Sequence, residues 1–190
     1  MSFPGAGKVE DNIFFINEFN WDSEDEIIPD LYTETLKQVN VADGHIDLII
    51  NSVGGYAHVL RQMLDIMAIG ESYGVVYRTV VMGHACSAGS MLAVAGTKGY
   101  RYISPTAKHL VHYGYTGSDE ATPLQAERNQ KYKDEHWQFV LNHYKAHAKI
   151  PRLEKQLADD HLWLNADEAL NWKLADHSLE EFDPHELTRP

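Results

Sequence analysis

Short apolar runs alternate with longer amphipathic stretches along most of this chain. An apolar run of about four to eight residues is typical of a buried strand, and apolar residues spaced three or four apart are typical of a helix. Strands are therefore predicted at residues 13–16, 46–50, 75–82, 101–103 and 110–112. Helices are predicted at residues 26–39, 59–70, 87–95, 122–147, 151–158 and 165–174. Strand and helix alternate twice in the first half, which indicates an α/β fold with βαβ units and a mostly parallel sheet.

Two details of this assignment are specific enough to be checked. The helix at 26–39 would carry Pro29 in its first turn, where the missing amide hydrogen of proline is not needed. Gly83 would end the strand at 75–82 in a turn that leads to the helix at 87–95. The chain then continues through a polar, glycine-bearing loop at 113–121 before the long helix.

A chain of 190 residues without an internal repeat, a low-complexity stretch or a linker fits one domain. We expect this domain to span residues 13–180, after a short segment at 1–12 and before a tail at 181–190. The 28 acidic residues outnumber the 16 basic ones, giving a net charge of −12. This charge argues against a nucleic-acid partner, because binding a phosphate backbone relies on Lys and Arg.

No signal peptide and no window of 18 apolar residues is visible, so we expect neither secretion nor a membrane span. Cys86 is the single cysteine, which rules out an intramolecular disulfide and fits a cytoplasmic protein. The 11 histidines show no HExxH spacing, and no CxxC pair occurs, so no metal site is expected.

Two predicted strand-to-helix turns have unusual compositions. At the first, Gly54 and Gly55 permit a sharp turn and leave a backbone amide uncovered by a side chain. A phosphate-binding or purely structural turn would explain the same glycines. At the second, Ser87 stands at a helix start among small residues, either as an ordinary helix cap or as a nucleophile held at a tight turn. Ser90 is the competing serine, but it should lie inside the helix and point elsewhere.

A third candidate is the end of the strand at 110–112. Because side chains alternate along a strand, His112 shares a face with Leu110, and His109 shares the opposite face with Val111. A histidine at a strand end is compatible with a surface role as well as with catalysis. The order and contexts of the three features together carry more information than any one of them.

These motifs resemble those of the ClpP family of self-compartmentalised serine peptidases. The matching segments are NSVGG at 51–55, GHACSAG at 83–89, LVH at 110–112 and LNADEA at 164–169. The similarity extends from about residue 12 to about residue 179, with the segments in the family's order. It implies a ClpP/crotonase-like fold of repeated ββα units, with flanking helices and a long helical handle.

The resemblance also implies roles for individual residues. Ser87 would be the nucleophile, His112 the general base, and the amides of Gly55 and Ala88 the oxyanion hole. An extended peptide would bind beside Gly54 and Gly55 by strand addition, and no cofactor would be needed. The implied function is a serine endopeptidase that cleaves small or unfolded polypeptides inside a homo-oligomeric ring, a heptamer that in the family also stacks in pairs.

The sequence departs from the family's pattern at several positions. Tyr113 and Gly114 replace a Gln-Pro pair that helps two rings interlock, so the stacking of rings is the less secure expectation. The segment at 1–12 offers few apolar anchors, which predicts weak or absent coupling to a Clp-type ATPase. The family's spacing places its catalytic acid at His161, so the third catalytic member is either His161 or the preceding Asp160.

Two other functions remain open at this point. The missing acid would suit a catalytically impaired ring subunit. A crotonase-like acyl-CoA enzyme is the less favoured alternative, because that broader fold also builds an oxyanion hole from two backbone amides. Such an enzyme would not need Ser87.

Overall fold

The computed structural model describes residues 7–10, 12–114, 122–158 and 161–181. Its strands are β1 (Gly7–Glu10), β2 (Ile13–Ile16), β3 (His45–Ser52), β4 (Val76–Cys86), β5 (Arg101–Ile103), β6 (Lys108–Val111), β7 (Leu162–Asn165) and β8 (His177–Ser178). Its α-helices are α1 (Trp21–Gln38), α2 (Ala57–Ser72), α3 (Ala88–Val94), α4 (Pro123–His147), α5 (Leu153–Ala158) and α6 (Ala166–Asn171).

The strands form one mostly parallel sheet, as the sequence predicts. The main path runs β1-β2-β3-β4-β5-β8, and every pair from β2 onward on this path is parallel. Strand β1 is antiparallel to β2. Strand β6 lies parallel to β4 and antiparallel to β7. The carboxyl ends of β3, β4 and β6 therefore point the same way, where parallel sheets place their functional groups.

Strand β4 is longer than the sequence suggests, and the prediction of a turn at Gly83 is wrong. Its first part pairs with β5 through Thr79–Val81, and its last part pairs with β6 through His84–Cys86. A second pairing partner thus carries the strand past the glycine. As a result, β4 delivers the chain directly to Ser87 without an intervening loop.

The first helix also differs from its prediction. Helix α1 begins at Trp21, where the side chain of Asn20 accepts a hydrogen bond from the Ser23 amide at 2.9 Å. Pro29 therefore lies in the interior of the helix and not in its first turn. It is exposed, so water can reach the carbonyl group that its missing amide leaves unpaired. The polar cap at Asn20 marks the true start, which the apolar spacing does not reveal.

Near the C-terminal end, the helix predicted at 165–174 is present as α6 but ends earlier, at Asn171, and strand β7 before it was not predicted. Strand β7 ends at Asn165, and α6 begins at the next residue. The Asn165 side chain accepts from the Glu168 amide, and the Glu168 carboxylate accepts from the Asn165 amide, each at 2.9 Å. This reciprocal capping box fixes the boundary between strand and helix. The predicted long helix is confirmed as α4, which Thr122 caps in the same way.

Two ion pairs, each with a buried arginine, join neighbouring segments of the fold. On β3 and β4, the Arg78 guanidinium donates to both oxygens of Asp47, at 2.5 and 2.7 Å. Arg101, which is 2 % exposed, donates to both oxygens of Asp176 at 2.7 and 2.8 Å and to the His147 carbonyl at 2.8 Å. Paired in this way, these charges can lie inside the core. Among the described residues, no helix combines the length and apolar content that a membrane span requires.

Candidate active site

A cleft of about 280 Å³ lies between the carboxyl ends of the strands and the helices that follow them. Four of the residues singled out in the sequence line it, namely Ser87, His112, Gly55 and Ala88. They come from three separate segments of the chain, which meet because β3, β4 and β6 are neighbours in the sheet. The structure thus brings the three candidate features of the sequence into one place.

Ser87 occupies a strained turn between β4 and α3. Its φ of 54° and ψ of −119° lie in a region that residues with a side chain rarely adopt. The Ser87 amide donates to the Leu110 carbonyl of β6 at 2.9 Å, which helps to hold the turn. Strain of this kind at a strand-to-helix turn is what exposes the nucleophile in hydrolases of the α/β-hydrolase fold.

The Ser87 hydroxyl does not cap the helix. Ser87 stands at the N-cap position of α3, yet its side chain makes no capping hydrogen bond there. A capping serine normally adopts an extended backbone and accepts from an amide one turn later, and the positive φ prevents this geometry. The interpretation of Ser87 as an ordinary helix cap is therefore wrong.

Two backbone amides in the cleft are available to a ligand. The neighbouring backbone is paired: the Phe19 amide donates to the Gly54 carbonyl at 3.0 Å, and the Tyr56 amide donates to the Phe19 carbonyl at 2.6 Å. Within the described part of the chain, neither the Gly55 nor the Ala88 amide donates a hydrogen bond. Two unpaired donors beside a hydroxyl are the arrangement that stabilises a developing oxyanion.

Gly54 lies directly against the Ser87 turn. A Cβ atom at position 54 would lie 2.8 Å from both the Cys86 carbonyl oxygen and Ser87 Cβ, closer than carbon contacts allow. Its φ of 98° also favours glycine. Its amide donates to the Ser52 hydroxyl at 3.0 Å, which fixes the turn from the opposite side. The glycine turn is therefore required for packing and does not by itself indicate a phosphate site.

His112 follows the last residue of β6 and is half-buried in the cleft. Val111 pairs with Leu162 in the antiparallel β6–β7 ladder, so the next residues outward, His112 and His161, lie opposite each other. Their rings stack, with centroids 5.1 Å apart and planes at 21°. Stacked rings meet by their faces, whereas a hydrogen bond to an imidazole N–H lies in the ring plane. Asp160, the alternative third member, lies outside the described residues.

A buried hydrogen-bond network lies behind α3 and was not predicted from the sequence. Ser90 points away from the cleft, as predicted: its Oγ shares a 2.9 Å hydrogen bond with His109 Nδ1 and accepts one from the Tyr144 hydroxyl at 2.9 Å. Burial, assisted by the charge of Arg101, lowers the pKa of His109 to about 4. The alternation along β6 placed His109 on the face opposite His112, but nothing in the sequence identified its partners.

The sequence analysis also did not predict the residues on the far wall of the cleft. This wall contains the aromatic side chains of Tyr113, Tyr132 and His136, of which the last two lie on α4. The sequence offered no signal for them, because helix α4 reads as polar over most of its length. Among the described residues, no group of three or more His, Cys, Asp or Glu side chains is arranged to hold a metal ion.

Comparisons with known proteins identify relatives of this chain. The family model described as Clp protease matches residues 8–181. The chain is 37% identical over 137 residues to "ATP-dependent Clp protease proteolytic subunit 2" of Mycolicibacterium paratuberculosis, which covers 70% of this chain and 66% of the relative. It is 36% identical over 141 residues to subunit 1 of Mycobacterium tuberculosis, covering 73% and 68%. The chain thus spans about two thirds of the length of these relatives.

The contact between Gly54 and Ser87 predicts the effect of adding one methyl group. Gly54→Ala should slow the labelling of Ser87 by a fluorophosphonate at least about 100-fold, since a displacement of about 1 Å at a reacting group costs that much. The measurement is the rate of adduct formation by intact-protein mass spectrometry. Gly99→Ala is the matched control, because Gly99 has a similar φ of 92° but open space around it.

Gly99→Ala should lower the free energy of unfolding by about 1 to 2 kcal/mol, the cost of a side chain at positive φ, and leave the labelling rate near that of the wild type. Equal labelling rates in the two variants would show that backbone strain alone, and not contact with Ser87, explains the glycine at position 54.

Burial of His109 predicts loss of stability in mild acid. An exposed histidine of the unfolded chain has a pKa near 6.5, whereas the pKa of His109 in the folded protein is lowered to about 4. Between these values the unfolded chain binds a proton that the folded chain does not, so the free energy of unfolding falls as the pH drops. His109 should account for about 2 kcal/mol between pH 7 and pH 5.

Urea denaturation of the wild type and of His109→Asn at both pH values measures this contribution. The difference between pH 7 and pH 5 should be smaller in the variant by that amount. His143, whose pKa burial also lowers to about 4, remains in both proteins and so cancels in the comparison. An unchanged pH dependence in His109→Asn would contradict the assignment.

Proposed function

The chain belongs to the Clp protease family, and we propose that it is a serine endopeptidase that cleaves small or unfolded polypeptides. Ser87 is the nucleophile and His112 the general base. The observation that carries the proposal is the strained turn at Ser87, with its uncapped hydroxyl in the same cleft as His112 and two unpaired amides. No cofactor takes part in this chemistry.

The reaction follows the general course of serine peptidases. The Ser87 hydroxyl oxygen attacks the peptide carbonyl carbon while His112 accepts its proton. The amides of Gly55 and Ala88 donate to the oxyanion of the tetrahedral intermediate. His112 then gives the proton to the leaving amine, and water releases the acyl group from Ser87 by the same steps.

The third catalytic member is His161 in this proposal. Its support is the β6–β7 register, which sets His161 opposite His112 and brings the two rings into contact. The His161 ring must turn out of the stacked arrangement before one of its nitrogens can accept the N–H of His112 and so hold its tautomer. A neutral histidine in that role supplies no negative charge for the imidazolium that forms. We therefore expect a lower activity than an aspartate would give, and Asp160 is the alternative that experiment must separate.

The active form is proposed to be a homo-oligomeric ring, with seven subunits as the family resemblance implies. Every side chain from Leu124 to Tyr132 on α4 is exposed; Tyr132 borders the cleft, and the turns before it leave most of their surface open. An unsupported helix of mixed polarity is marginal in water, and packing against another chain would stabilise it. Leu124 and Tyr132 themselves are 57% and 53% exposed.

Two further predictions concern an ATPase partner and the location of the protein in the cell. The relatives are named as subunits of ATP-dependent proteases, and coupling of this chain to a Clp-type ATPase is expected to be weak or absent. A cytoplasmic location is proposed on the basis of the single cysteine, Cys86, which is buried and forms no disulfide.

The proposed roles predict a graded set of variants. Ser87→Ala and His112→Ala should each lower kcat on an unstructured fluorogenic peptide at least about 1000-fold. His161→Ala should lower it less, and His161→Asp should raise it several-fold by restoring the missing charge. Ser90→Ala is the control for Ser87, because Ser90 lies in a buried hydrogen-bond network and not in the cleft. This variant should still be labelled at Ser87, although loss of the network should slow the reaction.

The outcomes separate the alternatives. A neutral His161→Ala together with an inactive Asp160→Ala would assign the third role to Asp160. A chain that never labels at Ser87 would be a catalytically impaired subunit. Turnover of an acyl-CoA thioester that survives Ser87→Ala would indicate the crotonase-like function.

The exposed turns of α4 predict self-association. Sedimentation velocity at micromolar concentration should show a species several times the 21.6 kDa mass of one chain. Leu124→Glu should shift the distribution toward smaller species, because it places a charge in the expected contact. A stable monomer in the wild type would contradict the ring.

A further inference from the structure

Three polar side chains lie together in the core behind the cleft. Ser90 of α3 and His109 of β6 are 0% exposed, and Tyr144 of α4 is 1% exposed. Polar groups at such depth lower stability unless they are hydrogen-bonded to one another, and apolar residues of similar volume would pack there without that requirement. None of the three lines the cleft. Their role is therefore not direct contact with a substrate.

Ser90 is the centre of this network. Its Oγ accepts a hydrogen bond from the Tyr144 hydroxyl and shares a second one with His109 Nδ1, both at 2.9 Å. Burial raises the pKa of Tyr144, so the phenol keeps its proton and remains a hydrogen-bond donor at physiological pH. A single side-chain oxygen of α3 is thus bonded to both β6 and α4.

Helix α3 depends on such contacts for its orientation. It has seven residues, and a helix of this length is not stable on its own. The direction of its axis is therefore set by the residues packed around it. His143, which precedes Tyr144 on α4, donates from Nε2 to the Met91 carbonyl of α3 at 2.8 Å. Neighbouring residues of α4 thus hold neighbouring residues of α3.

The start of α3 carries groups that the proposed reaction uses. Ser87 precedes the helix, and Ala88 is its first residue. The Ser87 amide donates to the Leu110 carbonyl of β6 at 2.9 Å. The bond between Ser90 and His109 joins the same two elements one turn further along α3. One hydrogen bond would leave the helix free to turn about it, whereas two separated bonds fix its rotation.

We propose that Tyr144 is a positioning residue for this site, an inference that rests on the proposed peptidase function. Its hydroxyl holds the Ser90 side chain in the orientation that bonds to His109, and so sets the rotation of α3 against β6. That rotation decides how far the nucleophile lies from its base and where the Ala88 amide points. Errors in either are costly, because reacting groups must be held to within about 0.5 Å of the productive geometry.

The test removes one oxygen atom. Tyr144→Phe keeps the buried ring and deletes only the hydroxyl, and Tyr144 is not among the residues that line the cleft. On an unstructured fluorogenic peptide, kcat should fall about tenfold while KM stays within about twofold, because no contact with the substrate is lost. The rate at which a fluorophosphonate labels Ser87 should fall by a similar factor. Unchanged kcat and labelling rate in the folded variant would overturn the inference.

Tyr77→Phe is the matched control. Tyr77 lies at the opposite end of β4 from Ser87, is 0% exposed, and shares a 2.8 Å hydrogen bond with the Thr35 hydroxyl of α1. Both variants should lower the urea concentration at the unfolding midpoint to a similar extent, since each loses one buried hydrogen bond. Tyr77→Phe should leave kcat and the labelling rate within about twofold of the wild type. An equal loss of activity in the two variants would assign the effect to reduced stability and overturn the inference.

A double variant tests the route through Ser90. If the Tyr144 hydroxyl acts through Ser90, then Ser90→Ala alone should slow the labelling of Ser87. Adding Tyr144→Phe to Ser90→Ala should change the rate by less than about twofold, because the partner of the hydroxyl is already gone. Two effects that multiply in the double variant would overturn the inference, because the hydroxyl would then act by another path.

Failure of the underlying function has a different signature. If the wild-type protein cleaves no peptide and is not labelled at Ser87, the proposed peptidase function and this inference both fall. If Tyr144→Phe does not fold, Ser90→Ala decides in its place. A slower labelling rate in Ser90→Ala would support the inference, and a rate equal to that of the wild type would overturn it.

Discussion

The close approach of Gly54 to Ser87 is the constraint on which the rest of the site depends. It joins the turn after β3 to the turn after β4, two connections that the parallel sheet places side by side. Because no Cβ separates the two turns, the amides of Gly55 and Ala88 line the same cleft as the hydroxyl. A larger residue at position 54 would have to push apart the very backbone that presents these groups. The geometry of the proposed nucleophile and its oxyanion donors is thus set by backbone packing and not by flexible side chains.

Behind this contact, buried hydrogen bonds fix the elements that carry Ser87 and His112. Ser90 on α3, His109 on β6 and Tyr144 on α4 form one chain of hydrogen bonds, all in the core. Helix α3 starts just after Ser87, and β6 ends just before His112. The network therefore connects the two elements that position the proposed nucleophile and the proposed base. In a low-dielectric interior such bonds strengthen one another and resist shear. A neutral His109 suits the network, because a charged ring at that depth would lack a counterion.

Local sequence patterns predicted most of the fold. They gave a wrong boundary or no prediction where contacts between distant residues determine the structure. Apolar periodicity located the parallel strands and α4, and small residues identified the Ser87 turn. The start of α1 was misplaced because a polar cap at Asn20, and not hydrophobicity, sets it. The turn expected at Gly83 did not form because β6, which follows later in the chain, pairs with the end of β4. His136 could not be assigned to the cleft, since α4 reaches it only through tertiary packing.

The antiparallel pairing of β6 with β7 also bears on how much activity a triad without an acid can retain. An acid in the third position does two separate things, orienting the imidazole and balancing its positive charge. Replacing a catalytic aspartate by asparagine costs about 10⁴-fold in kcat in a well-studied serine protease because the wrong tautomer is favoured. Asparagine can donate to the imidazole, whereas a neutral histidine can present an acceptor and leave the productive tautomer in place. The β6–β7 register sets His161 opposite His112, so a turn of the stacked His161 ring would let it orient His112 although the charge is lost. The penalty for a histidine should then be smaller than that for an asparagine, and it should come from the imidazolium alone.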